Sequence, residues 1–172
     1  MGIPPSPCNI WVDADSCPAK ARDFILNTAA RHGLSVFFVA NRSIPFAFNH
    51  ALFNMVVCKS GPDSADRYIT EHACPHDLVV TRDIPLAAQL VHKQIPVIND
   101  RGVQFNETTV KSMLEQRNLK LQWKALGVAP KGVSRTYGPK EFSAFCACLE
   151  SVLSALLKNP CAARDEVQIQ VR

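Results

Sequence analysis

This sequence contains no pair of cysteines at the CxxC spacing of zinc sites and redox motifs. An odd, scattered set of thiols is typical neither of a disulfide framework nor of a zinc site, so we expect reduced cysteines, as in cytosolic proteins. Cys17 stands near a helix N-terminus, but the acids beside it oppose a thiolate, and we interpret it as structural. The cysteines are Cys8, Cys17, Cys58, Cys74, Cys146, Cys148 and Cys161.

Long apolar runs are missing as well. No run approaches the roughly 20 apolar residues that a membrane-spanning helix needs. The first residues do not form a charged-then-apolar leader. Internal repeats and low-complexity tracts are also absent from the sequence. We therefore expect a soluble protein of the cytoplasm that has no membrane partner.

The composition is that of an ordinary globular domain. Of the 172 residues, 47% are hydrophobic and 20% are charged, and a chain of this length can bury a core. The formal net charge of +4 is compatible with a polyanionic partner but does not require one. We expect a single α/β domain over residues 1–158, with its core in 8–104 and a helical part in 105–158. A flexible tail, 159–172, is expected to follow.

Five short apolar runs predict a parallel sheet. They are rich in Val, Ile and Phe and do not alternate with polar residues, which is typical of strands covered on both faces. The segments between them carry helical periodicity and capping residues. We therefore predict an α/β fold with an open, mostly parallel five-stranded sheet, Rossmann-like, with helices on both faces and further C-terminal helices. The runs are residues 8–13, 35–40, 54–58, 77–81 and 95–99, and the helices are residues 18–32, 64–73, 84–92, 108–126 and 140–158.

Acidic residues follow four of these strands. Because the carboxyl ends of parallel strands meet at one edge of the sheet, where open α/β folds bind ligands, we expect the carboxylates to lie together. Carboxylates at close range repel one another unless a cation or a proton intervenes. Oxygen ligands suit Mg²⁺ or Mn²⁺. The sequence therefore predicts a divalent-metal site formed by Asp13, Asp15, Asp63, Asp66, Asp83 and Asp100.

Most of these acids also have a simpler interpretation. Asp63 and Asp83 stand where helix N-caps belong. Asp66 suits the first turn of a helix, and Asp100 suits a turn. Asp13 differs from them, because a carboxylate at the end of an apolar strand carries a burial penalty that no cap explains. Asp13 is therefore the strongest single indication of a functional site.

Basic and hydroxyl residues interleave with the acids at the same strand ends. They either neutralise the acids in ion pairs or hold the phosphates of a nucleic-acid chain. A later loop adds Lys131, Arg135 and Lys140, which are candidates to steer the same chain. The candidate phosphate-binding residues are Arg42, Lys59, Thr81, Arg82 and Arg101.

Several segments together resemble the YaiI/YqxD family of bacterial proteins. They are "VDADSCPAKARD", "VAN", "GPDSADRYI", "DLVVTRDIPLAAQLVHK" and "INDRGVQF", and the resemblance covers about residues 9–127 in order. That family is similar to the PIN-like metal-dependent nucleases, which place an Asp-rich site at the carboxyl edge of a parallel sheet. The resemblance implies a PIN-like fold and metal-binding, catalytic roles for Asp13, Asp66 and Asp83. Asp15, Asp63 and Asp100 would lie nearby.

The C-terminal part departs from the family pattern. The glycine-proline step and the helix of "TYGPKEFSAFCACLESVL" match it. Ser143 and Ala144 stand where the pattern has an Asp-Arg pair before Phe145. Any role of that pair therefore does not carry over to this chain.

Three functions are compatible with the acidic edge. The leading hypothesis is a Mg²⁺- or Mn²⁺-dependent phosphodiesterase that cleaves RNA or single-stranded nucleic acid through Asp13, Asp66 and Asp83. The second is a haloacid-dehalogenase-like phosphatase, because "VDADS" resembles its hhhDxD motif and Thr81 could supply its second-motif hydroxyl. The later lysine and paired acids of that family are not found. The third is a non-catalytic module that binds nucleotide or RNA. The sequence does not indicate an oligomeric state.

Overall fold

Strands and helices alternate along most of the chain. The computed structural model describes residues 7–45, 50–58, 61, 63–128 and 136–158. The strands are β1 (Asn9–Asp13), β2 (Ser35–Ala40), β3 (Phe53–Val57), β4 (Leu78–Val80) and β5 (Val97–Ile98). The helices are α1 (Ala19–His32), α2 (Ser64–His72), α3 (Ile84–His92), α4 (Glu107–Ala125) and α5 (Pro139–Lys158). The expected flexible tail, 159–172, lies outside the described residues.

The five strands form one sheet in the order β3-β2-β1-β4-β5. Every pair of neighbouring strands is parallel. The chain runs outward from β1 to β3 and then crosses to the other side of β1 for β4 and β5. The reversal between β1 and β4 is a topological switch point, the place where open α/β sheets bind ligands. The prediction of an open parallel sheet with C-terminal helices is confirmed.

Helices cover both faces of the sheet, and alternate strand residues point to each face. Val12 belongs to a buried cluster with Ile25 of α1 and Phe145 of α5. Its neighbour Trp11 belongs to a second buried cluster, with Leu86 of α3 and residues of α2 and α4. Because both faces are buried, the strands read as continuous apolar runs. None of the described helices is long and apolar enough to cross a membrane.

A buried carboxylate fastens the amino edge of the sheet. Asp77, just before β4, is 0% exposed. Its Oδ1 accepts a hydrogen bond from the backbone N–H of Asn9 at 2.9 Å. Its Oδ2 accepts from the indole Nε1–H of Trp11 and the backbone N–H of Cys74, both at 3.0 Å. Asp77 therefore joins β1 to the turn that precedes β4, at the edge opposite the switch point.

Gly102 lies where the turn after β5 passes close to α5. Its φ is +79°, and a Cβ built there would lie 2.5 Å from the carbonyl carbon and oxygen of Ala144. Gly102→Ala is therefore expected to lower the free energy of unfolding by about 2 kcal/mol or more, because left-handed strain and overpacking add. Urea unfolding followed by circular dichroism measures the loss.

Gly33→Ala is the matched control for this substitution. Gly33 has a φ of +64°, and a Cβ there would meet no described atom within 4 Å. The decrease in the free energy of unfolding of Gly33→Ala therefore measures the left-handed strain alone, which is about 1 kcal/mol. Equal losses in the two variants would show that contact with α5 has no energetic role at Gly102.

Candidate metal centre at the carboxyl edge of the sheet

Asp13 is the last residue of β1 and lies at the switch point. It is 8% exposed, and its Oδ2 accepts hydrogen bonds from the hydroxyls of Ser16 at 2.7 Å and Thr81 at 3.0 Å. Burial raises the pKa of this carboxyl, and the charges of Asp15 and Asp83 add to the rise, while the two hydrogen bonds oppose it. The burial penalty that the sequence indicates is therefore present.

Thr81 connects Asp13 to Asp83. Besides donating to Asp13, its buried hydroxyl accepts a hydrogen bond from the backbone N–H of Asp83 at 3.0 Å. Asp83 caps α3, since its Oδ1 accepts from the backbone N–H of Leu86 at 2.8 Å. The cap interpretation of Asp83 is confirmed. Thr81, a predicted phosphate-binding residue, therefore contacts both the carboxylate of Asp13 and the backbone of Asp83.

Asp66 lies in the first turn of α2 and is half-buried. Burial, followed by the charges of Asp83, Asp13 and Asp63, raises its pKa from 3.8 to about 6. These four carboxylates, from the ends of β1 and β4 and the start of α2, form what we call the acidic cluster. The cluster brings together the three acids that the resemblance to PIN-like nucleases singles out.

Asp63 does not act as the N-cap that its position suggests. It precedes α2, but its side chain accepts no capping hydrogen bond. Its φ of 63° lies in the left-handed region, which costs a non-glycine residue on the order of 1 kcal/mol. The cap interpretation is therefore wrong for Asp63.

A pocket of about 460 Å³ opens beside the acidic cluster, between α2, α3 and the middle of α4. Asp63, Asp66 and Asp83 line it together with Arg67 and Arg117. Neither arginine is among the site residues predicted from the sequence. Arg67 follows Asp66 directly, which is a usable signal, whereas the position of Arg117 depends on how α4 packs. The pocket therefore combines carboxylates with guanidinium groups suited to phosphate.

Asp15 and Asp100 are each paired with an arginine. Asp100, which is buried, accepts hydrogen bonds from Arg82, one from Nε at 2.6 Å and one from Nη2. Asp15 accepts from the backbone N–H of Asn41 at 2.9 Å and forms an ion pair with Arg42 at 3.4 Å. Two predicted metal ligands and two predicted phosphate-binding arginines therefore form ion pairs with one another.

Of the remaining predicted bases, the two described ones, Arg101 and Lys140, do not line the pocket. Arg101 lies near α5, where backbone hydrogen bonds and then its positive charge lower the pKa of Glu141. Lys140 is exposed at the start of α5. Lys59, Lys131 and Arg135 lie outside the described residues.

Cys17 lies beside this edge as a buried thiol. Burial and, next, the charge of Asp100 raise its pKa to about 12. At neutral pH it is therefore a protonated, inert side chain. Among the described residues, no two cysteines form a disulfide bond.

The donor chemistry of the acidic cluster fits a hard divalent cation. Across the described ranges, no three His, Cys, Asp or Glu side chains are grouped closely enough to hold one metal ion together. Mg²⁺, however, is usually bound by one or two carboxylates, with waters and substrate phosphates as its other ligands. Asp66 and Asp83, which line the pocket beside buried Asp13, fit this smaller donor set.

Comparison with known proteins gives consistent matches over most of the chain. A family model described as "Uncharacterized BCR, YaiI/YqxD family" matches residues 11–155. A UPF0178 protein of Treponema denticola is 42% identical over 87% of this chain and 94% of its own length. The UPF0178 protein of Psychromonas ingrahamii is 38% identical over 87% of this chain and 98% of its own length. That of Treponema pallidum is 40% identical over 87% of this chain and 83% of its own length. No solved structure matches the chain.

Proposed function

The chain belongs to the YaiI/YqxD family, and we propose that it is a divalent-metal-dependent phosphodiesterase that cleaves RNA or other single-stranded nucleic acid. The observation that carries this proposal is that Asp66 and Asp83 line one pocket, where burial and then the charges of Asp83 and Asp13 raise the pKa of Asp66 to about 6. At neutral pH a nearby cation would relieve that repulsion. The resemblance to PIN-like nucleases, which implies roles for the same three acids, supports the proposal.

Each residue of the pocket has a distinct part in this proposal. Asp66 and Asp83 would hold Mg²⁺ or Mn²⁺, with the buried charge of Asp13 adding to the attraction for the ion. When bound, such an ion activates water and stabilises charge on phosphoryl oxygens. Arg67 and Arg117 would hold phosphate oxygens through charge-assisted hydrogen bonds. Asp15 and Asp100 are not part of this set, because arginines already neutralise them.

Metal dependence is the direct test of this activity. The purified protein is expected to cleave a labelled single-stranded RNA of mixed sequence in the presence of Mg²⁺ or Mn²⁺, and to stop when EDTA is added. Denaturing gels measure the products. Asp13→Asn protein, purified in parallel, controls for contaminating ribonucleases and is expected to be inactive. The absence of cleavage of both RNA and single-stranded DNA with either metal would contradict the proposal.

The two other functions would give different results in the same preparation. A phosphatase of the haloacid-dehalogenase type would form a phosphoryl adduct on Asp13, which intact-mass measurement after incubation with p-nitrophenyl phosphate would detect. A binding module would bind RNA, also as Asp66→Asn, while the wild-type protein itself shows no turnover with either metal. Either result would replace the nuclease assignment.

A further inference from the structure

Three basic side chains follow the acidic pocket along α4. Arg117, Lys120 and Lys124 are spaced i, i+3 and i+7, so they lie on one face of the helix. All three are exposed, and none of them forms an ion pair with another described residue. At a rise of about 1.5 Å per residue they span about 10 Å along the helix axis. We call these three residues the basic track.

The basic track begins at the pocket and leads away from the body of the protein. Arg117 lines the pocket that contains Asp66 and Asp83. The first half of α4 is anchored by Val110, its buried residue. From residue 115 to residue 128 every side chain is exposed. The second half of α4 therefore extends into solvent and carries positive charge outward from the acidic cluster.

A tryptophan accompanies the basic track. Trp123 is 42% exposed, and it is three residues from Lys120 and adjacent to Lys124. Exposed aromatic rings beside cations are the combination that proteins use to bind single strands, because bases stack on the rings while cations contact the phosphates. Leu119 and Leu126, at i−4 and i+3 from Trp123, extend the apolar surface next to its ring.

We infer that the second half of α4 binds single-stranded nucleic acid and leads it to the acidic pocket. Lys120 and Lys124 contact successive phosphates, Trp123 stacks against a base, and Arg117 holds the phosphate nearest the acids. The inference rests on the proposed function, since it describes the path of that substrate. Charge favours nucleic acid over a second copy of the chain at this surface. Three cations on one face of α4, which form no ion pair with another described residue, attract a polyanion, and they repel the same face of another copy.

Oligonucleotide binding without metal tests the inference separately from cleavage. Fluorescence anisotropy of a labelled 12-nucleotide oligo(U) in EDTA is expected to show binding that weakens about tenfold in Trp123→Ala, as expected for loss of one stacked base. Replacing both Lys120 and Lys124 by Gln is expected to reduce the slope of log affinity against log salt by about 1.4. Lys111→Gln, exposed on another side of α4, is the matched control and should leave both quantities unchanged.

The outcomes of this experiment distinguish the track from the catalytic proposal. Asp66→Asn should keep its oligonucleotide affinity even though its cleavage is lost. Unchanged affinity in the Trp123 and double-lysine variants would overturn the inference, while metal-dependent cleavage by the wild type would still uphold the proposed function. An alternative result is that Trp123→Ala changes the sedimentation of the protein while its oligonucleotide affinity stays the same. That result would assign this surface to self-association and would also overturn the inference. Circular dichroism confirms that each variant is folded.

Discussion

Asp66→Asn is expected to lose RNA cleavage by about 10²- to 10³-fold, the scale of removing one group that stabilises transition-state charge. The same variant should be at least as stable as the wild type at pH 7. Burial and the charges of Asp83, Asp13 and Asp63 all disfavour an ionised Asp66 in the folded protein. A neutral amide of the same shape removes that penalty. Loss of activity without loss of stability identifies a carboxylate kept for a ligand.

The sign of the stability effect follows from the pKa. Asp66 ionises with a pKa of about 6 in the folded protein and near 3.8 when unfolded. The folded state is therefore penalised progressively as the pH rises from about 4 to about 6, and fully above that range. Solvent screening of this half-exposed group reduces the penalty to about 1 kcal/mol. The stability advantage of Asp66→Asn should appear above pH 6 and vanish below pH 4 in urea unfolding experiments.

The matched control for this prediction is Asp23→Asn. Asp23 is an exposed acid on α1, outside the acidic cluster, and its substitution should change stability by less than about 0.5 kcal/mol. It should also retain wild-type cleavage. An Asp66→Asn protein that is destabilised at pH 7 and fully active would make Asp66 a structural residue.

Asp77→Ala is expected to lower the free energy of unfolding by about 3 kcal/mol or more. The substitution leaves three donors without their acceptor, namely the backbone N–H groups of Asn9 and Cys74 and the indole N–H of Trp11. A buried donor without a partner costs roughly 1–3 kcal/mol. Urea unfolding followed by circular dichroism measures the loss.

Asp77→Asn separates hydrogen bonding from side-chain volume. It fills the same space but presents one acceptor oxygen and an amide group, which opposes at least one of the three donors. A loss close to that of Asp77→Ala is expected, while Asp23→Ala, on the surface, should cost less than about 0.5 kcal/mol. Because Asp77 lies at the edge opposite the acids, its variants should still cleave RNA at temperatures where they are folded. A nearly neutral Asp77→Asn would show that packing alone explains the position.

The sheet could be predicted from the sequence because burial on both faces makes each strand a short apolar run. The predicted strand bounds differ from the observed ones by no more than two residues, as at β5 (Val97–Ile98). Asp13 could be recognised for a related reason, since a carboxylate that ends such a run must be buried. The grouping of Asp66 and Asp83 near it could be expected because the carboxyl ends of parallel strands meet at one edge of the sheet.

Side-chain pairing could not be read in the same way. Arg82 stands next to Asp83 in the sequence, yet its partner is Asp100, which follows the neighbouring strand β5. Adjacent residues after a strand point in different directions, so a sequence neighbour is a poor guide to an ion pair. Arg117 and Asp77 were missed for the corresponding reason, since the contacts of each depend on how distant segments pack.

The exposed half of α4 is held at one end only, near Leu114, which still packs against the core. From that residue to the end of the helix is about 16 Å, so a tilt of about 5° near Leu114 displaces the far end by about 1.4 Å. Substitutions of core residues that contact the first half of α4 can therefore shift the position of its C-terminal end without changing any exposed residue. The position and tilt of the exposed half of α4 can therefore change by core substitution alone, while the acidic cluster at the sheet edge stays the same.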